Sequence, residues 1–219
     1  MSLLEQFQSS TVHKKFVLYF SSFFVLIAVP YSLINAMAQH IQLIVIEPKM
    51  VIDDMIPFVP FSIIAYASLY LYYPFFAYIL ARDEQSQIAL SIYEQFLLMT
   101  YVAFSMFIIL PTKVTIRTND QESIFSSMYE FLHAIDLSYN SFPSLHVAHS
   151  LFIVFATHHL MSKHPLWTSS TTIFMSIGLA LLVFSTMTTK QHYVFDVVTG
   201  AALAIVFWRL WLSKQHRKV

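Results

Sequence analysis

A histidine and an aspartate stand four residues apart in the stretch 185–200, Ser-Thr-Met-Thr-Thr-Lys-Gln-His-Tyr-Val-Phe-Asp-Val-Val-Thr-Gly, at the start of a long apolar segment. Within a helix, this spacing places His192 and Asp196 on one face. The carboxylate can then accept the Nδ1 proton of the imidazole, which fixes the tautomer and leaves Nε2 available as a base or nucleophile. The same pair could also be an interfacial His and Asp that only hydrogen-bond locally, so other residues must decide.

A second polar cluster is the sequence Asn-Ser-Phe-Pro-Ser-Leu-His, which ends at His146. Its residue types predict a helix start, with Asn140 or Ser141 as the cap and Pro143 at or near the first helical position. Because the N-terminus of a helix attracts anions, Ser144 and His146 would lie beside a bound anion there. Taken alone, the segment is also typical of an ordinary capped helix with a polar first turn.

Three cations stand near these clusters in the predicted topology. Lys113 and Arg117 follow Pro111, and Lys190 precedes His192 by two residues. Such side chains could neutralise a phosphoryl group, or they could be solvated cations at a membrane interface.

Composition identifies the broad class. Of the 219 residues, 57% are hydrophobic and 11% are charged, and the chain is therefore predicted to be an integral membrane protein. The formal net charge of zero gives no argument for a nucleic-acid partner. The absence of cysteine excludes disulfides and thiolate sites, and the two glycines exclude a glycine-rich phosphate loop.

The fold is predicted to be an all-α bundle of six transmembrane helices that forms one domain over residues 1–219, with no internal repeat. Segments of spanning length and apolar character predict the helices. These segments are 16–46, 61–80, 88–110, 143–162, 167–187 and 192–212. The polar stretch 112–139 is predicted to be the main loop outside the membrane, with a short amphipathic helix near 122–135.

Six spans place both termini on the same side of the membrane. If this side is the cytoplasm, only four of the twelve Lys and Arg residues lie outside, namely Lys49, Lys113, Arg117 and Lys190. The end of span three, the start of span four and the junction of spans five and six then share the extracytoplasmic face. The sequence therefore predicts that the two histidines, the aspartate and the nearby cations converge at that interface.

A metal site is an alternative, because His149 lies one turn beyond His146 and histidine is a common ligand. Such a site would lack a convincing third ligand other than His192 or Asp196. We therefore expect neither a metal nor another cofactor.

These motifs resemble the phosphatidic-acid-phosphatase type 2 superfamily. Ser144-Leu145-His146 after a proline, Ser185-Thr186, and then His192 with Asp196 are similar to its second and third signature motifs. The resemblance implies metal-independent phosphoryl transfer. His192 would be the nucleophile that forms a phosphohistidine, Asp196 its orienting carboxylate, and His146 the acid and then the base.

In the same resemblance Lys113 and Arg117 stand for the cationic first motif. Their gap is shorter than is usual in the family, and Leu145 and Thr186 replace the usual Gly and Arg. These variants are similar to the inositol phosphorylceramide synthase branch, which transfers a phosphorylated head group to an alcohol. Lys190 could replace the missing arginine.

The sequence thus predicts a membrane lipid phosphatase that uses a lipid phosphate as substrate, or, as the alternative, a phosphotransferase that also binds an alcohol acceptor. A proton-coupled transporter would use intramembrane His and Asp residues, but the cluster lies at one face and no inverted repeat is visible. A third alternative is an inactive protein that keeps the fold. In such a protein His146 would lie far from His192 in the structure. A bacterial cytoplasmic membrane is the expected location.

Overall fold

The computed structural model describes residues 3–40, 45–83, 86–118, 123–165 and 167–217. Regular structure in these ranges is helical, apart from isolated backbone bridges at Thr112 and Lys113. The helices are α1 Leu3–Phe23, α2 Val29–His40, α3 Val51–Met55, α4 Ile63–Ala67, α5 Leu69–Arg82, α6 Ser86–Ile109, α7 Ser126–Ile135, α8 Leu145–Met161, α9 Ser169–Thr188 and α10 Val194–His216.

Several predicted spans are compound helices. A π-helical segment, Phe24–Ala28, joins α1 to α2, and a short 3-10 turn, Pro60–Ser62, leads into α4 and α5. In the described part of the chain, five helical segments are long and apolar enough to cross a membrane by length and composition. The predicted fourth span corresponds to α8, which has 17 residues and is a shorter apolar helix.

Helix α8 occupies the centre of the bundle. It packs against α5, α6, α9 and α10, and its buried residues come from all sides of the helix. A helix that is apolar all round is expected in such a position. The surrounding core is rich in aromatic rings, which include Phe23, Phe76, Phe96, Phe152 and Trp211.

The peripheral helices expose large apolar side chains. Phe174 and Phe184 of α9 are 76% and 63% exposed, and Leu33 of α2 is 61% exposed. Monomeric soluble proteins rarely leave such continuous apolar surfaces in water. The exposed surfaces therefore agree with helices that face lipid.

The polar loop 112–139 folds back over the start of α4. Its helix α7 begins at Ser126, and Glu122, which the sequence placed in that helix, lies outside the described residues. Tyr129 and Leu132 of α7 pack against Ile63 and Tyr66 in a small buried cluster. This packing brings the loop to the end of the bundle where α8 and α10 begin.

Gly200 allows α8 and α10 to approach closely. A Cβ atom at this position would lie 2.4 Å from the backbone carbonyl oxygen of Ser144, whereas real Cβ atoms do not approach this closely. Glycine inside a helix costs about 1 kcal/mol relative to alanine. The close contact with Ser144 explains why glycine is tolerated here.

We expect Gly200→Ala to lower the free energy of unfolding by about 1–3 kcal/mol, because the added methyl group collides with backbone atoms. Gly178→Ala is the matched control, since its Cβ would meet only the Tyr72 hydroxyl at 3.7 Å. That variant should be neutral or more stable. Thermal unfolding of both proteins in one detergent measures the effect, and equal melting temperatures would contradict the steric explanation.

Candidate active site

Two histidines from distant parts of the chain meet at the end of the bundle. His192 Nε2 lies 3.1 Å from His146 Nδ1, a hydrogen-bond distance, and the ring centroids are 5.2 Å apart. His192 is buried and His146 is half-buried. The structure thus brings together the two residues that the sequence predicted to work as nucleophile and acid–base.

The turn between α9 and α10 places His192. Lys190 adopts a left-handed backbone conformation with φ of 60°, and the amide of Gln191 donates to the carbonyl oxygen of Thr186 at 3.1 Å. This is the Schellman pattern that ends many helices. The His192 amide donates to the same carbonyl at 3.0 Å, which fixes the backbone of the predicted nucleophile.

Asp196 joins the imidazole to the start of α10. Its Oδ2 accepts from the backbone amide of Tyr193 at 3.0 Å and lies 3.5 Å from His192 Nδ1. The spacing predicted that both side chains lie on one helix face. Because α10 begins at Val194, the contact instead crosses the helix N-terminus. Within the described ranges neither His192 Nδ1 nor Asp196 Oδ1 has a hydrogen-bond partner, and such contacts often tighten when substrate binds.

Ser144 caps α8 and contacts α10. Its hydroxyl accepts from the Val147 amide at 3.5 Å, and its own amide donates to the carbonyl oxygen of Asp196 at 3.0 Å. The prediction that Asn140 or Ser141 is the cap was therefore wrong. Both of those residues are buried in the segment that precedes the cap.

Asp53 of α3 supports the same turn. This buried carboxylate accepts from the Val194 amide at 2.8 Å and from the Met50 amide at 2.7 Å. Its backbone carbonyl and that of Ile56 accept from the ammonium group of Lys190, at 3.1 Å in the case of Asp53. Lys190 therefore anchors the turn in this structure, and its predicted role in phosphate binding stays a prediction.

Tyr193 ties the turn to two further loops. Its hydroxyl donates to Glu47 Oε1 at 2.6 Å and accepts from the Thr115 amide at 3.2 Å. Hydrogen bonds from Thr115 and Tyr193 lower the pKa of Glu47 below its ordinary value. The residue beside His192 is thus held by an ionised carboxylate.

A buried carboxylate that the sequence analysis missed lies behind His146. The Tyr66 ring packs against the His146 ring with centroids 4.5 Å apart, and the Tyr66 hydroxyl donates to Asp136 Oδ2 at 3.3 Å. Arg117 donates to the backbone carbonyl of Asp136, and its Nη2 lies 3.7 Å from Asp136 Oδ2. Because Tyr66 and Asp136 are 70 residues apart, no local sequence pattern could have indicated their contact.

A cavity of about 400 Å³ lies beside Arg117. Cationic, hydroxyl and apolar side chains share its wall, which consists of Lys113, Val114, Thr115, Arg117, His133, Leu137 and Ser138. Lys113 Nζ lies 5.3 Å from the centroid of the Tyr139 ring, a cation–π distance.

His133 connects this cavity to the turn that carries the predicted nucleophile. Its Nε2 lies 3.0 Å from the Nε2 of Gln191, the residue next to His192. Burial, and secondly the positive charge of Arg117, lower the pKa of His133 below its ordinary value. One wall residue of the cavity is therefore in contact with the turn that carries His192.

His149 has a role in packing. Its two ring nitrogens contact the Tyr73 hydroxyl at 2.8 Å and the Thr100 hydroxyl at 2.9 Å, in the centre of the bundle. Among the described residues no group of three or more His, Asp or Glu side chains is arranged to hold a metal ion.

The fold and the site together define a helical membrane protein with a His–His–Asp cluster at one end of its bundle. A family model described as the PAP2 superfamily matches residues 39–210, which include every predicted site residue. The chain belongs to that superfamily. Membership supports a phosphatase- or phosphotransferase-type enzyme that acts on lipids, whereas the inositol phosphorylceramide synthase branch stays a prediction. No curated protein and no solved structure matches the chain.

Replacing Asp53 tests how firmly the turn at His192 is held. We expect Asp53→Ala to lower the free energy of unfolding by about 1–3 kcal/mol for each backbone donor left unpaired. Asp54→Ala is the matched control, because the Asp54 carboxylate is exposed and forms an ion pair with Lys49 at 2.7 Å at the surface. Its thermal unfolding should be nearly unchanged, and equal destabilisation by both replacements would contradict the capping role.

Proposed function

We propose that this protein is an integral membrane enzyme that cleaves a phosphate ester or anhydride on a lipid head group, through a phosphohistidine at His192 and without a metal. The observation that carries this proposal is the 3.1 Å approach of His192 Nε2 to His146 Nδ1 in a chain of the PAP2 superfamily. Asp196, at 3.5 Å from the other ring nitrogen of His192, supplies the third member of the cluster.

The reaction proceeds in two displacements. The lone pair of His192 Nε2 attacks phosphorus, the bond to the leaving oxygen breaks, and that oxygen takes a proton from His146. A water molecule then gives a proton to His146 while its oxygen attacks phosphorus, and the bond between phosphorus and His192 breaks. Asp196 stabilises the imidazole while it carries positive charge. Substrate entry must replace the hydrogen bond between the two histidines.

Positive charge near the phosphoryl oxygens comes from protein side chains. Phosphoryl transfer depends mainly on positioning and on electrostatic stabilisation of those oxygens. Arg117 and Lys113 line the adjacent cavity of about 400 Å³ and are proposed to bind the head group. Ser144 at the start of α8 is proposed to contact the phosphate. Lys190 can join them only if it leaves the carbonyl groups of Asp53 and Ile56.

A transferase is the second candidate. The acceptor would then be an alcohol on another molecule, which replaces water in the second displacement. The observation that favours it is the size of the cavity beside Arg117, about 400 Å³, because a second head group needs room near the phosphohistidine. The residues Leu145 and Thr186 at two motif positions agree with this alternative.

The membrane orientation proposed from the charge distribution places both termini in the cytoplasm and the histidine pair at the extracytoplasmic interface. Lipid tails then remain in the bilayer while the head group reaches the polar loop. A bacterial cytoplasmic membrane is the proposed location.

His192→Ala should abolish turnover, because it removes the nitrogen on which the proposed covalent intermediate forms. The measurement is release of inorganic phosphate by EDTA-treated protein from a panel of lipid phosphates, with and without alcohol acceptors such as diacylglycerol or ceramide. Phosphate release indicates a phosphatase, and a new lipid formed only with an acceptor indicates a transferase. His158→Ala is the control, since exposed His158 bonds to Trp167 away from this pair and should keep full activity. Full activity in His192→Ala would refute the mechanism.

His146→Ala should slow the two displacements to different extents, depending on the leaving group of the substrate. Loss of a general acid costs about 10²–10⁴-fold in rate for an alkyl ester, whereas a nitrophenyl ester, whose leaving oxygen needs no proton, should lose much less in the first step. The second step still needs the base, so phosphohistidine should accumulate at His192. Mass spectrometry of the intact protein detects it. Equal losses with both esters and no accumulated intermediate would exclude this role.

A further inference from the structure

Asp136 is a buried carboxylate with donors from several parts of the chain. Its Oδ1 accepts from the Tyr31 hydroxyl at 2.5 Å and from Asn35 at 3.4 Å, and its Oδ2 accepts from the Tyr66 hydroxyl at 3.3 Å. Arg117 pairs with both the side chain and the backbone carbonyl. An ionised carboxylate is costly to bury, and these donors together offset that cost.

Arg117 receives a fixed orientation from this arrangement. Two of its nitrogens, Nη1 and Nη2, are directed to Asp136. Its Nε is buried and has no hydrogen-bond partner in the part of the chain that the structure describes. Because guanidinium is planar, holding two nitrogens sets the direction of the remaining donors. The same side chain lines the cavity whose His133 contacts Gln191, the residue next to His192.

Tyr66 links Asp136 to His146. Its hydroxyl end is held by Asp136, and its ring packs on His146 at a centroid distance of 4.5 Å and an interplanar angle of 32°. Tyr66 is fully buried, so the ring has little freedom to move. An aromatic face also stabilises a cation placed over it, and His146 carries positive charge when it holds the proton for the leaving group.

We propose that Asp136 is a positioning residue for phosphoryl transfer: through Arg117 it directs a guanidinium group to the phosphate, and through Tyr66 it fixes the plane of His146. This inference rests on the proposed function. It predicts that the two connections have different kinetic effects. Arg117 acts on substrate binding, whereas Tyr66 acts on proton transfer.

The test compares KM and kcat of single and double variants with the best lipid phosphate substrate. Arg117→Gln should raise KM about tenfold, the effect of losing one charged hydrogen bond, and Tyr66→Phe should lower kcat several-fold with KM unchanged. Asp136→Asn should change both constants. The variant that combines Asp136→Asn with Arg117→Gln should have no higher KM than Arg117→Gln alone, because coupled residues are not additive.

Tyr93→Phe is the matched control for loss of a buried tyrosine hydroxyl, since Tyr93 pairs with Ser22 at 2.6 Å in the bundle core. It should change thermal stability without changing either kinetic constant. Additive effects of Asp136→Asn and Arg117→Gln, or an Asp136→Asn variant that loses only thermal stability, would overturn the positioning role. If Asp136→Asn fails to fold, the other two variants decide. An unchanged kcat in Tyr66→Phe together with an unchanged KM in Arg117→Gln would then overturn the positioning role. Absence of turnover and of phosphohistidine in the wild-type protein would instead refute the proposed function.

Discussion

The contact between the start of α8 and the first turns of α10 is the constraint on which the candidate site depends. Gly200 removes the side chain that would keep the two backbones apart, and the Ser144 amide bonds to the carbonyl oxygen of Asp196. Only at this separation can the side chains of His146 and His192, which lie 46 residues apart in the chain, come within hydrogen-bond distance of each other. The chemistry of the site therefore begins with a backbone contact.

Three buried aspartates organise the polar end of the bundle. Asp196 accepts a hydrogen bond from the amide at the start of α10, and Asp53 accepts one from the next amide of the same helix. Asp136 forms an ion pair with Arg117. Carboxylates near a helix N-terminus are favoured by the helix dipole. Each aspartate is thus stabilised by backbone or side-chain donors, and each in turn fixes a segment that contributes to the site.

Local sequence patterns explain which parts of this structure were predictable. Five of the six apolar segments predicted their helices to within four residues, because burial in a bilayer imposes length and composition directly. The first segment, predicted over 16–46, was placed less well, since its helix begins at Leu3 and α2 ends at His40. His146, His192 and Asp196 could be selected because each stands beside a helix start. The cap of α8 was misplaced, since Asn140, Ser141 and Ser144 are all good capping residues and only the packing selects Ser144.

The convergence of His146 and His192 followed from the predicted topology, but the particular partners of other buried polar side chains did not. Asp53 stands next to Asp54, which is exposed, and only the fold shows that the Asp53 carboxylate bonds to the start of α10. Lys190 stands near His192, yet its ammonium group bonds to carbonyls more than 130 residues away. Proximity in sequence indicates what a cation could do, whereas the fold decides which acceptor it meets.

The offset between the two helix starts gives the proposed reaction a direction. Ser144, the cap of α8, packs against Gly200, which lies six residues after the start of α10, whereas His192 precedes α10. His146 therefore approaches His192 from the interior of the bundle. In an in-line displacement the leaving oxygen departs opposite the nucleophile. With this offset the alcohol that carries the lipid chains would be released toward the bilayer, and the phosphorylated enzyme would face the aqueous side.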